Sequence, residues 1–112
     1  MAIAIERTGD VVVLLPHGRL DSNNAAAVEA EILEHVNGGA NRLVIDFAGL
    51  DYISSAGLRV VLVVAKRLKQ AGGALVICRL PPHIREVFEI SGFLSILTAT
   101  DTRDEAIAAV AA

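Results

Sequence analysis

The chain has 112 residues, 54% of them hydrophobic, a net charge of −3 at pH 7 and a single cysteine. That length suits one domain, residues 1–112, around one compact core, and the apolar share excludes disorder. Mild acidity without a basic stripe argues against nucleic acid, and apolar runs far short of the ~20 residues that cross a bilayer argue against membrane insertion.

The opening "MAIAIERTGD" lacks the basic start and long apolar run of a secretion signal, which points to a cytoplasmic protein. "AIAIER" and "VVVLLP" read as the two strands of a hairpin, with Gly9 of "TGD" supplying the turn. "GRLDSNN" follows as a polar loop whose Asp, Ser and Asn side chains suit a helix N-cap. Residues 25–36 keep a helical period, with Val28, Ile32 and Val36 inward, and Gly38 and Gly39 stop it. "RLVIDF" (42–47) is a short strand of the fully buried kind. A helix over 55–70 comes next, halted by Gly72 and Gly73. "ALVICRL" is a second buried strand, in which Cys78 reads as a small core residue. Pro81 and Pro82 open a short helix, "PHIREVFEI", and Gly92 lies past its end. "LSIL" reads as a last edge strand and "DTRDEAIAAV" as a terminal helix capped by Asp101. The order ββαβαβαβα predicts an α/β fold: one mixed sheet with helices over it, its βαβ crossovers right-handed.

The helix over 55–70 carries more valine than one buried stripe needs. At about 100° per residue, Leu58, Val61, Leu62, Val64, Ala65 and Leu68 share a broad face suited to packing on a sheet. Val60 and Val63 fall outside it, among Arg59, Lys66, Arg67 and Gln70. Either a neighbouring helix or loop covers them, or they form an exposed apolar strip rimmed by arginine, which is the make-up of a protein-binding patch.

"YISSAGLR" places Ser55 at the start of that helix. As an N-cap its hydroxyl accepts a backbone N–H one turn on, contributing about 1 kcal/mol. As a nucleophile it lacks G-x-S-x-G, since Ile53 stands where the first glycine belongs. His17, His35 and His83 show no triad or metal spacing, so no catalytic residue, metal or cofactor is expected and the chain reads as a non-enzyme. As a phosphoacceptor Ser55 makes physical sense, because a helix N-terminus offers unpaired N–H groups and the favourable end of the dipole.

"GRLDSNNA", "LVIDFAGLDYISSAGLRVVL", "KQAGGALVICRL" and "VFEISGFLSIL" together resemble the STAS domain of bacterial anti-sigma factor antagonists, nearly end to end. The resemblance implies a mixed sheet of four to five strands with about four helices packed mainly on one side. It also implies a partner, an anti-sigma factor that is a GHKL-type serine kinase, and a phosphatase that reverses its action. The acceptor it implies is Ser55, with Asp21 near the phosphosite and Asp46 and Asp51 at the family's acidic positions. Many relatives carry aspartate just before the acceptor; Ser54 stands there in this chain and is a second candidate hydroxyl. Asp21, Ser22, Asn23, Ala56, Arg59, Val60 and Val63 are then the expected partner-binding residues, with Val60 and Val63 at least partly exposed. Similar sequences also serve as cytoplasmic subunits of lipid-transport and other membrane transporter complexes, the alternative in which the same helix docks constitutively.

Overall fold

The computed structural model describes residues 3–111. β1 (Ile3–Thr8) and β2 (Val11–Pro16) form the hairpin, turned at Gly9 with φ +58°. β3 (Gly18–Leu20) leads through a turn to α1 (Ala25–Asn37). β4 (Arg42–Asp46), β5 (Leu50–Ile53), α2 (Ser55–Gln70) and β6 (Ala74–Cys78) follow. α3 (Pro82–Ile90), a 3-10 helix (Phe93–Ser95), β7 (Thr98–Thr100) and α4 (Arg103–Ala111) complete the described chain. The main sheet has the order β1-β2-β4-β6-β7, antiparallel at β1–β2 and parallel elsewhere.

Both faces of its central strands are covered, which is why "VVVLL" and "LVI" read as continuous apolar runs. Val12, Leu14, Leu43, Ile45 and Ile77 point to the larger core, which α1, α2 and α3 roof with Val28, Ile32, Val61, Val64, Ile84 and Phe88. Val11, Val13, Val44, Val76 and Cys78 point to the other face, where Ala106 and Val110 of α4 close over them. Three helices against one matches the expected arrangement.

Three expectations need correction. "GRL" is not plain loop: as β3 it pairs in parallel with β5, on "LDYI", as a separate two-stranded sheet. "LSIL" is no strand; Gly92, at φ +79°, turns the chain into the 3-10 helix, and the edge strand falls later, on "TAT". The cap of α4 is Thr102 rather than Asp101. The Thr102 hydroxyl accepts from the Glu105 N–H at 3.1 Å while the Glu105 carboxylate accepts from the Thr102 N–H at 3.1 Å, a reciprocal pairing of the S/T-x-x-E type. Asp46, at one of the family's acidic positions, is a buried structural acid.

Asp46 ends β4 on the α4 side, its side chain fully buried. One carboxylate oxygen accepts from the Ala48 N–H at 3.0 Å; the other accepts from Arg79 at 3.1 Å and Arg103 at 3.0 Å. Arg103 also reaches Glu6 on β1 at 3.0 Å, so the network clips the start of α4 to the sheet. Arg79 holds φ +55°, the one described non-glycine residue on that side of the map, and its ion pair with Asp46 helps to hold that conformation. Cys78 lies opposite Asp46 in the β4–β6 register. Burial pushes its thiol up to about 11, with the Asp46 carboxylate acting the same way and Arg103 and Arg79 opposing.

Two stability measurements check this account. Asp46→Ala should cost about 3 kcal/mol in urea unfolding, since it removes charge-assisted bonds of which the two arginine ends can partly rehydrate. Glu6→Gln, at a group 55% exposed, should cost well under about 1 kcal/mol. For Cys78 the sign follows from its raised folded pKa: above pH ~9 the unfolded thiol ionises and the folded one does not. Stability therefore drops from about pH 9 to about pH 11, and Cys78→Ala should show a smaller drop over that window.

Candidate functional site

The β3–β5 pair builds the site. It lays Leu20 beside Ile53, and the chain crosses into α2 with the Ser54 N–H donating to the Leu20 carbonyl at 2.9 Å. Ser54 is the N-cap, in an extended conformation, and its hydroxyl accepts from the Gly57 N–H at 3.3 Å. The capping role open to Ser55 thus belongs to Ser54. Ser55 is the first helical residue and is exposed, while Ser54 is half-buried. Among the described residues the N–H groups of Ser55 and Ala56 have no acceptor, so the positive end of the helix dipole opens beside the Ser55 hydroxyl.

Gly57 is what lets this turn of helix approach β3. A Cβ there would stand 2.8 Å from both the Leu20 carbonyl oxygen and Ile53 Cγ1, closer than real Cβ contacts. The S-x-x-G spacing was visible in the sequence, but its reason required the unexpected strand.

The loop after β3 is tied to itself. The Asp21 carboxylate accepts from the Asn23 N–H at 3.0 Å, and the Asn24 side chain bridges the Arg19 carbonyl at 2.7 Å and the Asp21 N–H at 3.0 Å. Asn24 precedes α1 but spends its side chain on this loop and not on the helix N-terminus. Arg19 lies 4.2 Å from the centre of the Tyr52 ring and 3.4 Å from Asp21. Beyond Tyr52, His83 of α3 bonds the Asp51 carbonyl at 2.7 Å, fixing β5 from the other side. Tyr52 and His83, both exposed, belong to this face and were not among the expected contacts; the signal available was an exposed aromatic two residues before the serine pair.

The expected residues divide as follows. Asp21, Ser22, Asn23, Ser55 and Ala56 gather at one end of α2, where β3, β5 and the Ser54–Leu20 bond place them, and Arg59 is exposed one turn on. Val63 is half-buried. Val60 is 3% exposed and belongs to the core, so it is withdrawn as a contact. α1 packs alongside α2 and brings Val28 and Ile32 onto it, widening the buried face beyond what a sheet alone covers. Asp46 lies on the opposite face of the sheet from α2. Among the described residues no group of histidine, cysteine or acidic side chains is arranged to hold a metal ion, and no helix is long and apolar enough to cross a membrane.

A five-stranded mixed sheet, a short parallel pair beside it and a serine-capped helix rising from that pair define a STAS domain, and the chain belongs to that family: the STAS domain model matches residues 2–106. Over 109 residues the chain is 50% identical to BtrV of Bordetella bronchiseptica, provisionally designated an anti-sigma factor antagonist, covering 97% of this chain and 94% of that one. Among solved structures it resembles the anti-sigma factor antagonist SpoIIAA in its unphosphorylated form, with TM-score 0.76, 26% identity and 98% of each chain covered. The phosphorylated form of SpoIIAA from Bacillus superimposes with TM-score 0.74 at 28% identity, over 97% of this chain and 99% of that one.

Gly57→Ala tests the close approach. The added methyl forces Leu20 and Ile53 aside, an overpacking cost of about 1–3 kcal/mol, and alanine's better helix propensity returns at most about 1 kcal/mol. A net loss of about 1–2 kcal/mol in urea unfolding is expected, with amide shifts in Leu20–Asn24; unchanged stability would mean that the turn relaxes freely.

Proposed function

We propose that this chain is an anti-sigma factor antagonist that works by partner switching and not by catalysis. Unmodified, the face made by Asp21, Ser22, Asn23, Ala56 and Arg59, with Val63 at its margin, binds an anti-sigma factor that is also a GHKL-type serine kinase, in the cytoplasm. Phosphorylation of Ser55 releases that partner, and a phosphatase restores binding. The observation that carries this reading is the division of labour between the two serines. Ser54 is held in the cap, and Ser55 stands exposed at a helix N-terminus whose first amides lack acceptors. The names of the relatives support the same reading, and a neighbour of like fold has both an unphosphorylated and a phosphorylated form.

The physics of release is local. The helix terminus stabilises the added charge where it forms, so the domain need not rearrange. The partner would then have to desolvate that charge across a face that had met a small hydroxyl, at a cost of several kcal/mol. Asp21 adds like charge on the same side.

Calorimetric titration of unmodified and Ser55-phosphorylated protein into the anti-sigma partner, beside circular dichroism of both, tests it. A loss of about 3 kcal/mol, more than a hundredfold in affinity, with unchanged spectra is expected. Ser55→Ala should bind but take no phosphate, and Ser54→Ala should still take it at a capping cost of about 1 kcal/mol. Equal affinities would overturn the switch and favour the constitutive docking subunit of a transporter complex; phosphate found on Ser54 would overturn the assignment of the acceptor.

A further inference from the structure

From Arg59 to Lys69, α2 borders an open groove of about 500 Å³, whose other wall is the chain following the 3-10 helix. Leu62, Val63 and Ile96 line its apolar floor, and Arg59, Lys66 and Lys69 stand on its rim with no acidic residue among them. Among the described residues none of these three cations has an ion-pair partner, in a chain whose net charge is −3. Ile96 is 68% exposed. The feature complementary to this groove is on the same molecule. Ile90, at the end of α3, is 79% exposed and is accompanied by exposed Glu86 and Glu89. Glu89 shares Arg85 at 3.0 Å, and Glu86 has no ion-pair partner among the described residues.

We propose that the groove receives α3 of a second copy of this chain, with Ile90 entering the apolar floor and Glu86 and Glu89 meeting Lys66 and Lys69. The lengths agree: the rim from Arg59 to Lys69 rises about 15 Å along α2, and the nine residues of α3 span about 14 Å. α3 packs against the 3-10 helix that leads to Ile96, so donor and groove lie at one corner of the molecule. A two-fold axis at that corner lets each copy give its α3 and accept its partner's, and the contact closes on itself without growing into a filament. An enclosed pocket would suit a small ligand covered on most sides; an open apolar groove with charges along one rim suits a helix. The contact is small, so the pair is weak and salt-sensitive. Its paired charges at Lys66 and Lys69 lie about 17 Å or more along the helix from Ser55, beyond the ~8 Å screening length, while Arg59 and Val63 border both the groove and the partner face.

Sedimentation equilibrium of the wild-type chain up to about 1 mM tests the pairing. At low salt the average mass should rise toward that of a dimer, and raising the salt to about 1 M, where screening acts within about 3 Å, should weaken it tenfold or more. Ile96→Asp, Lys66→Glu with Lys69→Glu, and Glu86→Lys with Glu89→Lys should each leave a folded monomer by circular dichroism. An equal mixture of the two charge-reversed proteins should pair again, because both contacts regain opposite signs. A wild type that stays monomeric, variants that pair as before, or a mixture that fails to pair would each overturn the proposal. If the wild type is monomeric and the lysine reversals instead weaken binding of the anti-sigma partner, the groove belongs to that partner. The phosphorylation dependence at Ser55 is read separately, at low micromolar concentration where the weak pair is dissociated, so failure of one proposal is told apart from failure of the other.

Discussion

The contact on which the site depends is the meeting of the first turn of α2 with the carbonyl of Leu20. Two groups share that oxygen's neighbourhood: the Ser54 N–H, which bonds it, and Gly57, whose missing side chain makes room for it. Helix and loop are therefore positioned by the same atom. Lengthening the side chain at 57 pushes the helix from the strand, and losing the β3–β5 pairing leaves the Asp21 loop without an anchor near Ser55. The cost of such closeness is that any side chain at 57 must displace Leu20 and Ile53, and the gain is that an exposed serine, a helix N-terminus and a polar loop hold fixed mutual positions without any of them being buried.

The opposite side of the sheet is organised by a different principle. There a fully buried carboxylate is surrounded by two arginines and a backbone amide, and the small cover provided by α4 is held through Arg103 as well as by the apolar contacts of Ala106 and Val110. The arginines keep part of their surface in water, so Asp46 is satisfied without two cations having to be desolvated completely. The molecule thus separates its tasks. One face of the sheet carries the helices and, at one end of α2, the candidate switch; the other carries the clip that keeps the terminal helix in place.

Much of this was legible in the chain. The ends of α2 followed from its serines and glycines, and the buried strands from uninterrupted valine, leucine and isoleucine, because those signals depend on a residue's immediate neighbours. β3 and β5 were missed because three and four residues give no usable period, and their pairing is a long-range event. Val60 was misplaced for a related reason. A helical wheel reports how side chains are distributed around one axis, but the share of that circle that is covered depends on which helix lies alongside, and α1 covers more than a sheet alone would. The resemblance implied for Asp46 only an acidic position of the family; the direction of its side chain, set by alternation along β4, sends it to the face away from α2. Within the candidate site the residues of the two loops were legible and their mutual support was not, since Gly57 and Ser54 take their meaning from Leu20.

The one cysteine offers a practical consequence. Its sulfur is fully enclosed and its proton is held far more tightly than a free thiol's, so at neutral pH almost no thiolate is present and no reagent reaches it. Toward maleimides and similar probes the native chain should accordingly react far more slowly than a free thiol. A new cysteine placed on an exposed position of α1 would become the single reactive handle, allowing a fluorophore or spin label to be attached and distances to a bound partner to be followed in the otherwise unaltered protein.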